Sequence, residues 1–576
     1  MARTAAHYLL EGIQETGVKY IFANFGTDHV SIIEELARWD HEGRPHPEVV
    51  LCPHENVAMH MAGGYALATG EGQAVMVHVD AGTANSAMAT MNFFRTRVPL
   101  FLMAGKAPHT MRGELPGSRD NYVHFVQDPF DMNSIVRPYV KWEYALPSGI
   151  VAKEAVRRAH SMMHSDPAGP VFMTLPRETL AEEWDEEAAA PFDDAHFGAV
   201  KQGGIDPQRV DQIADRLMAA RNPILVTSYA GRNADAVETL RELAETCGIR
   251  VVEFSPIHLN FPRDSECFAG FDVSPLIADA DLGLLVDVDV PFLPKFVPQG
   301  ANVEWIQIDM DAIKRDMPMW GFRTDMRIEA DSSIVLRQVL DTVKSRKNAA
   351  FDDKIAQRKM GWRELRQARL QRVATNASNT GTAGAIAPDF LFAKLQEHLS
   401  ADDVVINEAI RSAPAVLNQL TRTKPGTYFT IGGGGLGFGG GLALGVKLAR
   451  PQARVVDVVG DGSFHFGNHD SVLSVASEYG LPILTVVLDN GGWQAVKEAT
   501  LRVYPTGVAS QTNQFQSRLQ RSEGARTRHF DKVAQAFGAH AERVEDPAEL
   551  EAAIERCIAA LDRGQAALLN VAVTPL

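Results

Sequence analysis

The stretch RVVDVVGDGSFHFGNHDSVLSVASEYGLPILTVVLDNGGW, residues 454–493, decides the fold. Its first apolar run, 455–459, ends in Gly460, Asp461 and Gly462. A stretch of helical character follows, and a second apolar run, 483–488, ends in Asp489, Asn490, Gly491 and Gly492. Strand, turn, helix and strand in that order predict a βαβ unit, and the two parallel strands then open their carboxyl ends on one sheet edge. One carboxylate and one amide thus reach a single crevice. Glycines at both turns let the backbone approach a ligand closely, and a hard divalent cation holding phosphate oxygens wants that mixture of carboxylate, amide and carbonyl oxygens. The spacing predicts a diphosphate held through Mg2+.

Around this unit lies a chain of 576 residues, too long for one core, which predicts three or four domains. Its 45 % apolar and 22 % charged residues are those of a globular protein with ample core. A formal charge of −16, with no strongly basic stretch to offset it, argues against a nucleic-acid partner. Cys52, Cys247, Cys267 and Cys557 are scattered and form no CxxC pair, so neither a zinc site nor a disulfide framework is expected. The opening residues, MARTAAHYLLEGIQETGV, lack the apolar core of a signal peptide, and no apolar run is long enough to cross a bilayer. These features predict a cytoplasmic enzyme with no membrane partner.

Residues 1–185 alternate helical patterns with β-rich runs at 20–22, 49–51, 74–79, 100–104 and 171–175. The acidic stretch 181–204 reads as a linker. A second block, 205–342, repeats the alternation with strands at 223–227, 249–253, 282–286 and 303–308, and residues 343–375 have the composition of a helical connector. The third block, 380–576, places strands at 404–406, 455–459, 483–488 and 567–573. The expected class is α/β, with three doubly wound parallel-sheet domains whose functional turns lie at the carboxyl ends of their strands.

Three further stretches carry chemistry. Residues 432–445 read GGGGLGFGGGLALG, which fits a flexible loop, a close helix contact or a nicotinamide-binding turn. The last would want an acidic residue at the end of a second strand, whereas Asp457 stands in the middle of an apolar run. No GK[ST] follows, which excludes a P-loop. In the first block, PHENVAMH (53–60) follows a short strand and opens an Ala/Gly-rich helix; Glu55 there is either a helix-terminal acid or a functional carboxylate. His78, at the lip of the next predicted strand and ahead of AGTAN (81–85), is either a core histidine or a catalyst.

Taken together, PHENVAMHMAGGYALATG, AGTAN, GPVFMTLP, GGLGFGGGLALGVKLA, GDGSF and LDNGGW resemble the thiamine-diphosphate-dependent decarboxylases and carboligases, the group of acetolactate synthase, pyruvate oxidase and benzoylformate decarboxylase. The resemblance covers essentially the whole chain and implies pyrimidine-binding, middle and diphosphate-binding domains in that order. It implies thiamine diphosphate and Mg2+ as cofactors and leaves FAD in the middle domain open. It assigns Asp461, Asn490 and the Gly492 carbonyl to the metal, with Gly460, Gly462 and Ser463 beside the diphosphate. Glu55 would hydrogen-bond the pyrimidine N1′, Leu436 would support the bent cofactor from beneath, and the Gly434 carbonyl would receive the 4′-amino group. A carboxyl group set to share a proton with a ring nitrogen is the right device for that activation. Two positions depart from the family pattern: Asp489 stands where an Asn is usual, and Gly441 where a Pro is usual.

The site pattern is most similar to that of benzoylformate decarboxylase, which implies acid/base work for His78 and substrate contacts for Thr27 and the adjoining His29. Gln127 lies near a glutamine of the acetolactate synthases, and Trp493, Gln494 and Val496 would line the pocket after the second metal turn. No counterpart of benzoylformate decarboxylase's second histidine appears in 287–294, nor a paired-histidine motif in 106–111. Residues 504–528, with Arg518, Arg521, Arg526 and Arg528, form either a solvated loop or a lid that attracts an anionic substrate. The expected reaction is decarboxylation of a 2-oxo acid with or without carboligation; the alternative is a lyase acting on a 2-hydroxyacyl compound or diketone. A cofactor-binding subunit without activity is opposed by Glu55 and Asp461. Because Glu55 must meet a cofactor held by another domain, the resemblance implies a homodimer or homotetramer.

Overall fold

The computed structural model describes residues 2–189, 196–297, 302–518 and 528–575. Three six-stranded parallel sheets follow one another along the chain. The first contains β1 (Tyr20–Ala23), β2 (Glu48–Leu51), β3 (Gln73–Val77), β4 (Leu100–Lys106), β5 (Glu143–Ala145) and β6 (Pro170–Pro176), in the order β2-β1-β3-β4-β6-β5. The middle sheet contains β7 (Pro223–Thr227), β8 (Arg250–Glu253), β9 (Phe268–Gly270), β10 (Leu282–Val286), β11 (Glu304–Asp309) and β12 (Met326–Glu329), in the order β9-β8-β7-β10-β11-β12. The third contains β13 (Val404–Glu408), β14 (Tyr428–Phe429), β15 (Val455–Gly460), β16 (Leu484–Asp489), β17 (His540–Val544) and β18 (Ala567–Ala572), ordered β14-β13-β15-β16-β18-β17. Central strands such as β16 are buried at every position, as a parallel sheet covered on both faces requires.

The helices that matter to function are α1 (Glu55–Thr69), α2 (Val79–Thr96), α3 (Ala234–Cys247), α4 (Ser332–Arg346), α5 (Ala349–Ser378), α6 (Gly439–Ala449), α7 (Asp461–Phe466) and α8 (Gln494–Val503). α5 occupies the expected connector and packs Phe351, Ile355 and Trp362 into the core of the middle unit. α1 and α6, which follow equivalent strands of the first and third sheets, pack directly on each other. A Cβ on Gly64 would lie 2.2 Å from the Leu442 carbonyl oxygen, and one on Gly445 2.0 Å from that of Met61, so backbone meets backbone at this crossing. The first and third units are thereby joined within one chain.

Two expectations change. The third strand of the first sheet stops at Val77, and His78 is the N-cap of α2 rather than a strand residue. The stretch 181–204 is not all linker: Glu183–Asp185 pairs antiparallel with Ala2–Thr4. Tyr8 fixes this pairing by donating its hydroxyl to the Trp184 carbonyl at 2.8 Å. Residues 190–195 lie outside the described residues. Among the described residues no helix is long and apolar enough to cross a membrane.

Candidate active site

β15 and β16 are neighbours, with Gly460 opposite Leu488, so the turns that follow them open together. Asp461, the first residue of α7, is buried and ties the two turns to each other. Its Oδ1 accepts from the Gly462 amide at 2.8 Å and its Oδ2 from the Gly491 amide at 3.0 Å. Asn490 Oδ1 accepts from the Gly492 amide at 3.3 Å. Gly491 and Gly492 have φ of +93° and +135°, a backbone that favours glycine and brings two amides and a carbonyl close to the turn. Burial raises the Asp461 carboxyl pKa, opposed chiefly by the charge of Arg528. A buried carboxylate, an amide oxygen and a backbone carbonyl form a hard-oxygen set that fits Mg2+.

Arg528 was expected either in a solvated loop or in a lid that attracts substrate. Its guanidinium instead stands 2.8 Å from Asp461 Oδ2 and also pairs with Asp489. Arg543 reaches the other Asp489 oxygen at 3.1 Å. The charge introduced at Asp489 is thus met by two guanidinium groups, as a carboxylate buried in low dielectric requires. Arg521 and Arg526 lie outside the described residues. Arg518 is exposed and its backbone bridges to Gly492, while the Trp493 amide donates to the Ser517 carbonyl at 2.6 Å. The Trp493 indole lies against Gly462, where an added Cβ would be 3.1 Å from Nε1. Gln494 is buried and bonds the Asn490 carbonyl at 3.1 Å, whereas Val496 faces outward.

The glycine-rich loop connects this crevice to the first unit. Asn56 Nδ2, one residue after Glu55, donates to the Gly437 carbonyl at 2.9 Å. Asn92 of α2 bonds both the amide and the carbonyl of Gly435, at 3.0 and 3.1 Å. Gly434 is exposed with open space around its α-carbon, and Leu436 is half-buried beside it. Glu408, which was not singled out from the sequence, holds the other side of the loop: its carboxyl accepts from the amides of Gly437 and Gly439 and bonds Ser463. Burial pushes its pKa up to about 8, and the nearby Asp457 adds to the rise.

Glu55 opens α1 behind an N-cap made by His54, and only 8 % of it is exposed. Asn85 of α2 donates to its Oε2 at 3.0 Å. At the start of the same helix, His78 Nδ1 pairs with buried Asp28, and Gln127 adds a second hydrogen bond to the ring. The Asp28 bond raises the His78 pKa above its ordinary value, outweighing burial. Burial would raise Asp28, but bonds to His29 and His78 hold it well below the usual carboxylate range. The pair fits only because glycines flank it: a Cβ on Gly26 would sit 2.0 Å from His78 Nδ1, and one on Gly105 1.4 Å from Asp28 Oδ2. Thr27 is exposed, with Oγ1 3.4 Å from His124 Nε2. His29, expected to contact substrate, is fully buried, with its Nδ1 3.1 Å from the Gly26 amide and 3.4 Å from Asp28 Oδ1, inside the turn.

The middle sheet reverses strand order between β7 and β10, where a doubly wound sheet opens a crevice for a dinucleotide. Here the chain's own ions fill it. Lys314 Nζ bonds the Tyr229 hydroxyl at 2.8 Å, Asp309 at 2.7 Å and Asp289 at 2.9 Å. Arg97 arrives from the first unit to pair with Asp289 at 2.7 Å and lies over the Tyr229 ring. Burial would raise the Asp289 carboxyl, but Arg97 and Lys314 hold it at about 2. Asp287 pairs with Arg232 and Ser332. Asp287, Asp289 and Asp309 at these strand ends are thus each paired with one of the chain's own cations.

Residues 3–135 match the N-terminal thiamine pyrophosphate-binding domain of thiamine pyrophosphate enzymes, and residues 409–571 match the C-terminal one. The two matches together span just over half of the chain, and they include Glu55, His78, Asp461 and Asn490. The chain belongs to the thiamine pyrophosphate enzyme family. Benzoylformate decarboxylase of Pseudomonas aeruginosa is 26 % identical, the match covering 84 % of this chain and 86 % of that protein. The large subunit of acetolactate synthase isozyme 3 of Escherichia coli is 25 % identical, covering 99 % and 95 %. Among solved structures, the thiamine diphosphate-dependent 4-hydroxybenzoylformate decarboxylase of Rhodococcus jostii RHA1 superposes with a TM-score of 0.76 at 21 % identity. Benzoylformate decarboxylase of Polynucleobacter necessarius does so with 0.77 at 20 %. Both alignments cover the whole of each chain, and at these identities they show a shared fold.

Proposed function

We propose that the protein decarboxylates a 2-oxo acid with thiamine diphosphate and Mg2+, with aromatic 2-oxo acids as the first substrates to try. The observation that carries this reading is the His78 pair: Asp28 and Gln127 hold the ring at the start of α2, and the same helix supports Glu55 through Asn85. Asp461, Asn490 and the Gly492 carbonyl would hold the metal and through it the diphosphate, while the Gly434 carbonyl and Leu436 would receive the rings. When bound, the cofactor supplies a nucleophilic carbon and an electron sink for the bond broken beside the substrate carbonyl.

The protein's own groups do the rest. Glu55 exchanges a proton with the pyrimidine ring. Asp28 fixes Nδ1 of His78, so Nε2 is the atom that hands a proton to the reacting centre or takes one from it. The Thr27 hydroxyl, exposed beside this turn, offers a hydrogen bond to the substrate carboxylate. A second reading, in which the acyl group passes to an acceptor, uses the same residues and is supported by the nearly full-length match to acetolactate synthase. A lyase acting on a 2-hydroxyacyl compound or diketone would also use them.

A homodimer is part of the proposal. Tyr122, Phe125, Val126 and Phe130 are exposed around Gln127, an apolar patch that a second copy would cover. Light scattering of the purified protein tests this, and a stable monomer would count against it.

The test of the reaction is a screen of benzoylformate, 4-hydroxybenzoylformate and pyruvate, alone and with acceptor aldehydes, together with 2-hydroxyacyl substrates, for CO2 and ligated product. CO2 from an aromatic 2-oxo acid without an acceptor supports the primary reading. Release from none of the 2-oxo acids by cofactor-loaded protein overturns it.

A further inference from the structure

α1 and α2 carry Glu55 and His78 at their starts, and both end at one cavity. It measures about 290 Å³, between the first and middle units. Ala66, Leu67 and Gly70 from the end of α1 line it, as do Thr96 and Arg97 from the end of α2. With 15 and 18 residues, these helices place the cavity roughly 20–27 Å from the catalytic groups. It is therefore separate from the proposed active site. It adjoins the ion-filled crevice of the middle sheet and shares Arg97 and Arg232 with it, and its size suits a small molecule rather than a dinucleotide.

Two features of its wall call for a polar guest. His258 is only 4 % exposed, its ring lines the cavity, and among the described residues that ring has no hydrogen-bond partner. Burial, aided by the charge of Arg232, lowers its pKa to about 3, so the ring presents one N–H donor and one nitrogen acceptor. The ring nitrogens open on the cavity, where a ligand can bond them in place of water. Arg232 also lines the cavity and meets Asp287 and the Tyr229 carbonyl through Nη1, leaving the rest of its fork to receive an anion. The two carboxylates in the wall have partners of their own, Asp331 through Oδ1 alone. Asp331 caps α4 by accepting from Ser333 and Ile334, and Asp166 accepts from Lys201 and the Gln202 amide. Lys201 and Arg97 are likewise paired, with Asp166 and Asp289, so Arg232 is the cation with donors to offer. Leu67, Val98, Pro99 and Met310 make the remaining wall apolar.

We propose that this cavity binds a small organic carboxylate, its charged end on Arg232 and the His258 N–H and its apolar part against Leu67 and Met310. Guanidinium groups match carboxylates in geometry as well as charge, and the apolar wall favours an organic acid over inorganic phosphate. The ligand would touch the ends of both helices whose starts form the reactive centre, which is the position of an effector.

The test uses the cofactor-loaded, full-length protein and benzoate as the probe, followed by calorimetry and by thermal unfolding. The expected result is saturable binding, with a rise in Tm of about 2 °C when benzoate is ten times its Kd. His258→Leu should weaken binding about tenfold through the lost hydrogen bond. Ala168→Leu fills the cavity without removing a polar group and should abolish the response. Because it lies outside the proposed active site, retention of the full response in Ala168→Leu would show that benzoate binds elsewhere and would overturn the proposal. Absence of any saturable benzoate response would do the same. So would an equal response to inorganic phosphate, which would mark a general anion site.

Discussion

Replacing Asp28 by Asn tests the centre of the proposed chemistry with little change in volume. Asp28 is buried, and its carboxylate bonds His78 Nδ1; Asn keeps the shape but removes the charge that stabilises the protonated ring. A hydrogen bond to a charged group contributes about 1.5–3 kcal/mol. At about 1.4 kcal/mol per pKa unit, the His78 pKa should fall by about one to two units. In the native protein that pKa lies above the ordinary 6.5, so the ring holds its proton to a higher pH than a free imidazole does. In Asp28→Asn the basic limb of the pH–rate profile should move down by about one to two units. Turnover should then drop most near pH 7 and least near pH 5. Stability follows the same signs. The raised His78 pKa contributes fully below 6.5 and is lost as pH rises through the folded value; the lowered Asp28 pKa contributes fully above 3.8 and is lost as pH falls through its own folded value. The variant should therefore lose most stability between pH 3.8 and 6.5. Profiles of kcat/KM and nitrogen NMR titration of His78 measure both effects. An unmoved basic limb together with an unmoved His78 resonance would refute the Asp28 assignment.

The remaining predictions concern the other parts of the site. His78→Ala should slow turnover on any accepted 2-oxo acid by at least about a hundredfold, and a near-normal rate would return the residue to a structural role. Glu55→Ala should abolish hydrogen exchange at the thiazolium C2 of bound cofactor while leaving cofactor binding largely intact; normal exchange would contradict its role. Asp461→Ala should weaken Mg2+-dependent cofactor retention, measured by dialysis against chelator, and unchanged retention would remove Asp461 from the metal site. Gly445→Ala should destabilise the protein by about 2 kcal/mol, because the new Cβ meets the Met61 carbonyl oxygen, which cannot yield without opening the α1–α6 crossing. An unchanged Tm would show that the crossing yields to a side chain.

What could be read from the sequence follows from how far apart the interacting residues are in the chain. The apolar runs before Asp461 and Asn490 form buried central strands, so periodicity located both turns. β12 and β17 escaped notice because they lie at or near sheet edges and alternate buried with exposed or partly buried residues instead of forming apolar runs. His78 was placed in a strand because the apolar run leads directly into it; only the backbone reveals the cap. Asp28 and Glu408 were missed for another reason. Asp28 meets His78 across 50 positions, and Glu408 meets Gly437 across 29. No local pattern announces either contact, although Asp28 follows the end of β1 and Glu408 closes β13. The pairing of Asp489 with Arg528 and Arg543 is equally non-local, so the sequence exposed a departure in charge without its compensation.

Those strand ends point to a more general regularity. The first and third sheets have the same strand order: β2-β1-β3-β4-β6-β5 in one corresponds position by position to β14-β13-β15-β16-β18-β17 in the other. The ends of the first strands lead to Asp28 and Glu408. The second lead to Glu55 on α1 and to the glycine loop before α6. The third lead to His78 and Asp461, and the fourth to the segment bearing Gln127 and to Asn490. Each sheet thus places its chemistry after the same four strands, around the point where strand order reverses and a parallel sheet opens a crevice. The equivalent helices α1 and α6 bind the two crevices to each other at a glycine crossing too close for side chains. In the proposed function one architecture, used twice, is specialised by a few side chains: oxygen donors that would hold a metal in the third unit, a carboxyl group and a histidine that would transfer protons in the first.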